Sequence, residues 1–240
     1  MIDLQALVFD FDGLVVNTEE PGFVSWRELY HEFGQTLTLE DWTAATGYVG
    51  GFDPHRHLEG LLGRPLDWSV LAPRREARNW ELTLREPVMP GIEGLMTAAR
   101  TAGLRLGVAS NSGWGWVEEG LRRLGLRHFI DAIITRDMVL NPKPAPDMYL
   151  KCVQTLNVAP AAAVALEDSE PGARAAKNAG LKAVAIPNQF SALQDLSFVD
   201  LKVASASELN LDRLRALVRA GAGDDLPSTA RQVAAAGSSS

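Results

Sequence analysis

The stretch Leu4 to Gly13, LQALVFDFDG, decides how the rest of the chain is read. Leu4 to Phe9 is a short apolar run broken abruptly by Asp-Phe-Asp-Gly. A run of this kind predicts a buried parallel strand that ends in an acidic loop. The same grammar recurs downstream. Leu104 to Ala109 runs into Ser-Asn-Ser-Gly, Ile130 to Thr135 into Arg-Asp, Ala163 to Leu166 into Glu-Asp-Ser, and Ala183 to Ile186 into Pro-Asn. A further short run, Leu201 to Ala204, precedes a polar segment.

Helical patterns separate these runs, at Ile92 to Ala102, Trp116 to Leu124, Pro146 to Leu156 and Gly172 to Ala179, with Gly103, Gly125 and Gly180 placed as C-terminal stops. Alternating strands and helices predict an α/β fold, a doubly wound, Rossmann-like parallel sheet. Residues 20–88 break the alternation. They are rich in helix formers and aromatics, with helical segments expected at Gly22 to Phe33, Leu39 to Thr46, Asp53 to Leu62 and Pro73 to Leu84. The expected organisation is therefore an α/β core of residues 1–19 and 89–210, an all-helical cap of residues 20–88 inserted after the first strand, and a disordered tail over 220–240.

Bulk composition narrows the partners. The chain has 240 residues, of which 46% are apolar and 22% charged, which is ordinary for a soluble globular protein. A formal charge of −7 speaks against a nucleic-acid-coating protein, because counterion release needs a basic face. No stretch approaches the roughly 18 apolar residues that span a bilayer, so no membrane partner and a cytoplasmic address are expected. Cys152 is the single cysteine, which excludes an intrachain disulfide and reads as a buried, inert thiol. Nothing in the pattern specifies an oligomeric state.

The informative polar residues all fall at the predicted C-terminal ends of strands, where open α/β sheets bind ligands. Asp10 and Asp12 follow the first strand, Ser110 and Asn111 the second, and Glu167 and Asp168 the fourth. Carboxylates crowded at one sheet edge repel each other unless a cation neutralises them, and hard oxygen ligands suit magnesium. Ser110, with backbone N–H groups at a helix start, suits a phosphate, although a plain helix cap is the alternative. Lys143 is the first lysine in the chain and stands among three prolines in NPKPAPD, which hold one cation in a definite place; a solvated surface lysine is the alternative.

The four ordered motifs VFDFDGLVVNTE, VASNS, NPKPAPDMYL and ALEDSEPGARAAKNAG resemble the haloacid dehalogenase-like hydrolase superfamily, in the subgroup with a helical cap after the first strand. The resemblance runs from Leu4 to about Leu209. It implies that Asp10 is a nucleophile and Asp12 a general acid and base, that Ser110, Asn111 and Lys143 hold a phosphoryl group, and that Asp10, Asp168 and the Asp12 carbonyl ligate Mg2+. Glu167 ranks behind Asp168 as a metal ligand. Leu14 departs from the threonine common after the glycine, without consequence for the main chain.

The resemblance also implies a choice among chemistries. Asp12 speaks against a dehalogenase, which needs no leaving-group proton. The absence of any cap lysine excludes the Schiff-base route of phosphonatases. A small phosphorylated metabolite is the expected substrate of a phosphatase. A β-phosphoglucomutase-like phosphomutase is the alternative, disfavoured because Thr46 to Phe52 carries no basic residue. A non-catalytic phosphate-binding protein is a reading from another class. Glu19, Tyr48, Phe52 and Arg56 are the candidates for substrate specificity. His55 and His57 read as surface groups, and Trp26, Trp42, Trp68 and Trp80 as packing within the cap.

Overall fold

The structure, a computed structural model, describes residues 2–43 and 52–221. Six parallel strands form one sheet: β1 (Ala6–Phe9), β2 (Arg105–Ser110), β3 (Ala132–Thr135), β4 (Ala163–Glu167), β5 (Lys182–Ala185) and β6 (Leu201–Lys202). Their order is β3-β2-β1-β4-β5-β6, so β1 lies in the interior with β2 and β4 on either side. Strand order reverses at β1, and such a switch point opens a crevice beyond the strand ends.

Alternation along β1 places Leu7 and Phe9 on one face and Ala6 and Val8 on the other, and all four are fully buried. The first face is covered by α5 (Ile92–Thr101), α6 (Trp114–Arg123) and α9 (Leu211–Gly221). The second is covered by α7 (Asp147–Leu156) and α8 (Glu170–Asn178) through Met148, Tyr149, Cys152, Ala175 and Ala176. Burial on both faces explains why these strands read as continuous apolar runs. Cys152 is fully buried, and burial pushes its thiol up to about 12, as suits an inert core group.

Between β1 and α5 the chain makes α1 (Glu19–Glu32), α2 (Leu39–Thr43), α3 (Pro54–Leu62) and α4 (Trp68–Thr83). These helices share a separate apolar cluster around Phe23, Trp26, Leu29, Tyr30, Leu37 and Leu58, which Phe190, from the loop after β5, also enters. The chain enters and leaves this segment at one place, because Val16 forms an antiparallel bridge with Val88 and the Met89 N–H donates to the Val15 carbonyl at 2.9 Å.

Several expectations need correction. Helix α4 starts at Trp68, where Asp67 accepts from the Ser69 N–H, so Pro73 lies inside the helix and does not begin it. Helix α1 starts at Glu19, with Pro21 in its first turn, where a missing N–H is harmless. Helix α9 lies beyond the expected elements, although Leu211, Leu214, Leu217 and Val218 recur at helical spacing and pack on the core. His55 packs edge-on against Trp26 and Trp68, and His57 lies within 3.1 Å of the Tyr30 hydroxyl, so neither is a plain surface group. The expected tail, 220–240, begins inside α9, which runs to Gly221; the rest of it and the expected end of α2 at Thr46 lie outside the described residues.

Candidate active site

Parallel register carries the strand-end residues to one edge. Phe9 pairs with Val108 and with Leu166, and the Asp10 N–H continues the ladder to the Leu166 carbonyl at 3.0 Å. Asp10 thus emerges between the ends of β2 and β4. A cavity of about 330 Å³ opens there, lined by Asp10, Asp12, Ser110, Asn111, Lys143 and Asp168 among others.

Lys143 is buried and uses all three of its hydrogens. They go to Asp10 Oδ1 at 2.6 Å, Glu167 Oε1 at 2.5 Å and the Ala109 carbonyl at 2.8 Å. Asn111 fixes the backbone beneath it, accepting from the Lys143 N–H at 3.0 Å and donating to the Lys143 carbonyl at 3.3 Å. The Tyr149 hydroxyl donates to the same Glu167 oxygen. Burial alone would pull the Lys143 ammonium down, but attraction to Asp10 and Glu167 outweighs it and the group is held protonated.

Asp12 accepts from three side chains: Ser112 Oγ at 2.6 Å, Ser110 Oγ at 3.2 Å and Trp116 Nε1 at 2.8 Å. The Ser110 hydroxyl also receives the Ser112 N–H at 3.0 Å. Opposite, Asp168 Oδ2 accepts from Asn188 Nδ2 at 2.8 Å. Gly13 sits between them at φ 81°, where a Cβ would lie 2.3 Å from Asp168, so both its backbone angle and its missing side chain are required.

Asp10, Glu167 and Asp168 are all buried, and each offers an oxygen within 4.8 Å of the others. Burial, reinforced by neighbouring carboxylates, pushes Asp10 and Asp168 well above the usual carboxylate range. One lysine does not offset this concentration of negative charge. Hard oxygen donors, buried together and short of positive charge, fit a divalent cation such as Mg2+. Glu167 belongs to this set, although its Oε1 is already held by Lys143 and Tyr149.

Of the specificity candidates, Glu19 lines the cavity, and burial together with Asp12 pushes its carboxyl up to about 7. Two others are misplaced. Arg56 is 89% exposed and pairs with Asp53, because α3 turns it to solvent. Phe52 packs on Trp42 and His57 in the helical cluster. Tyr48 lies outside the described residues. Arg74 pairs with Glu32, Arg75 lies over the Trp26 ring, and Arg78 pairs with Glu28 and Glu81.

Sequence reasoning misses several groups. Trp80 packs on Trp116 with ring centroids 5.0 Å apart, which joins α4 to the residue that holds Asp12. Asn79 enters the cavity from the same helix. Asn188 is findable, since it follows β5 just as the other strand-end residues follow their strands. In the sequence Ser112 reads only as loop, and Tyr149 only as a neighbour of Cys152.

A parallel sheet that ends in a buried carboxylate cluster, with one lysine fixed beside the central acid, is an arrangement suited to a phosphoryl group. The family model for haloacid dehalogenase-like hydrolases matches residues 7–186, and the chain belongs to that family. YhcW of Bacillus subtilis, which carries a provisional phosphatase name, is 36% identical over 87% of this chain and 94% of its own length. The fructose-1-phosphate phosphatase YqaB of Escherichia coli is 31% identical over 74% of this chain and 94% of its own. The crystal structure of CbbY from Rhodobacter sphaeroides in complex with phosphate is similar at 31% identity and a TM-score of 0.69, covering 88% of this chain and 97% of that one. Within the family the chain falls in the phosphatase and phosphoglucomutase-like group, and it is a phosphoric monoester hydrolase.

Proposed function

We propose that the protein hydrolyses a small phosphomonoester, a sugar phosphate or similar metabolite, with Mg2+ as cofactor and through a phosphoryl group carried on Asp10. The observation that carries this reading is the pairing of Asp10 with Lys143 in the cavity that also holds Asp12. Lys143, itself held by Glu167, ties down Asp10 Oδ1, which leaves Oδ2 to meet the incoming phosphorus. Asp10 bonds to phosphorus as the ester oxygen departs, and Asp12 gives that oxygen its proton. Asp12 then takes a proton from the water that attacks the phosphoryl group, and phosphate leaves with Asp10 restored.

Ser110 and Asn111, which line the same cavity, would hold the phosphoryl group. Magnesium held by Asp10, Asp168 and the Asp12 carbonyl would offset the charge on the phosphoryl oxygens. Residues 20–88 act as the cap over a core of 1–19 and 89–210. The reading includes a cytoplasmic address. Among the described residues no helix is long and apolar enough to cross a membrane.

The test is phosphate release from a panel of phosphomonoesters with magnesium and with excess chelator, alongside Asp10→Asn. Magnesium-dependent release that Asp10→Asn abolishes, with the fold intact by circular dichroism, is expected. Turnover by Asp10→Asn at the wild-type rate would overturn the mechanism.

A further inference from the structure

Beyond the reacting groups, the cavity wall is neutral or acidic. Thr18, Glu19, Asn79, Ser169 and Ser191 line it, and among the described residues Lys143 is its one cationic lining residue. That ammonium is already shared between Asp10, Glu167 and a carbonyl. The arginines of α4 are committed to glutamates or to the Trp26 ring. Residues 44–51, AATGYVGG, carry no charged side chain, so that stretch supplies no cation either.

Asn79 stands out on this wall. Its Oδ1 is buried and has no hydrogen-bond partner, although the residue lines the cavity. A buried carbonyl oxygen without a donor is costly, and a ligand that supplies one recovers that cost. A hydroxyl can donate to the amide oxygen and accept from the amide nitrogen, whereas a second phosphate dianion offers only acceptors and meets further carboxylates. Without a cation to face it, such a charge would be desolvated and unpaired.

We propose that the cavity selects a monophosphate whose carbon skeleton bears free hydroxyls and no second phosphate, with Asn79 as the specificity-determining residue that accepts a hydroxyl proton from that skeleton. This rests on the phosphatase reading above and names the substrate class of the same site. It also sets the chain apart from enzymes that grip a bisphosphate, the phosphomutases included.

The experiment compares kcat/KM for a hexose monophosphate, the matching hexose bisphosphate and a straight-chain alkyl monophosphate of equal carbon count, using the full chain with magnesium. The hexose monophosphate should exceed each of the others by roughly tenfold or more. Asn79→Leu should collapse the preference for hexose over alkyl, mainly through KM, and Asn79→Lys should raise the bisphosphate relative to the monophosphate; thermal melts confirm that both variants fold. A wild-type enzyme that prefers the bisphosphate, or that does not distinguish hexose from alkyl, overturns the proposal and leaves the phosphatase reading standing. So does an undiminished hexose preference in folded Asn79→Leu. Failure to release phosphate from any of the three overturns the phosphatase reading itself, and this proposal with it.

Discussion

The indole of Trp116 donates to Asp12 at 2.8 Å while its ring packs on Trp80 of α4, so one side chain touches both the acid and the helix above it. A tryptophan placed this way couples the orientation of a carboxylate to the seating of the helical segment. Its N–H and its ring surface are separable by mutation.

Trp116→Phe keeps most of the ring contact and removes the hydrogen bond. We expect kcat to fall roughly tenfold, with a smaller change in KM and an altered pH profile of kcat, since positioned acid–base groups supply such factors. Steady-state kinetics across pH checks this. A variant that matches wild type across the profile would reduce Trp116 to packing.

Gly172 of α8 lies against the Glu167 carboxylate, and a Cβ there would come within 2.0 Å of Oε2. Gly172→Ala should therefore destabilise by about 2 kcal/mol or more and lower activity, because Glu167 holds Lys143. At Gly94 in α5 an added Cβ would meet nothing within 4 Å, so Gly94→Ala should stabilise by about 1 kcal/mol through helix propensity. Urea denaturation of the pair separates crowding from propensity.

Glu19 in the folded protein holds its proton up to about 7, above its unfolded value. Between those values the folded state binds more protons than the unfolded state, so stability falls as pH rises through that window and stays lowered above it. Glu19→Gln removes the penalty. In chelator, the variant should exceed wild type by about 2 kcal/mol at pH 8, with no advantage near pH 4. Equal stabilities at pH 8 would show that Glu19 ionises freely.

Asp10 and Asp168 are both held above the usual carboxylate range, so protons compete with Mg2+ for them at a higher pH than they would at ordinary carboxylates. Magnesium affinity should weaken as pH falls, and binding should release protons. Calorimetry in two buffers of different ionisation enthalpy measures that release directly. A magnesium affinity independent of pH would contradict the raised carboxylates.

Sequence makes the sheet legible because each buried strand is an apolar run cut off by a polar tip, and the tips carry Asp10, Asp12, Ser110, Glu167 and Asp168 to one edge. It misleads where one residue type has two uses. Pro73 reads as the start of a helix, yet Asp67 caps the turn before it. Arg56 and Phe52 have side chains suited to a substrate, but which way a helix faces depends on its packing partners. Asn79 is illegible as a site residue for another reason: it reaches the cavity from a helix. Trp116 is legible as a residue after the Ser110 loop that covers the phosphate site or packs beneath the cap, but its bond to Asp12 spans 104 positions of sequence, a separation that no local pattern encodes.

The Val16–Val88 bridge gives the chain a single doorway into and out of α1–α4. A segment exchanged between relatives at these two valines leaves the pairing of β1 with β2 and β4 in place, and it should carry its taste in metabolites with it provided that it also brings a partner for Trp116, the point at which α4 reaches the acid.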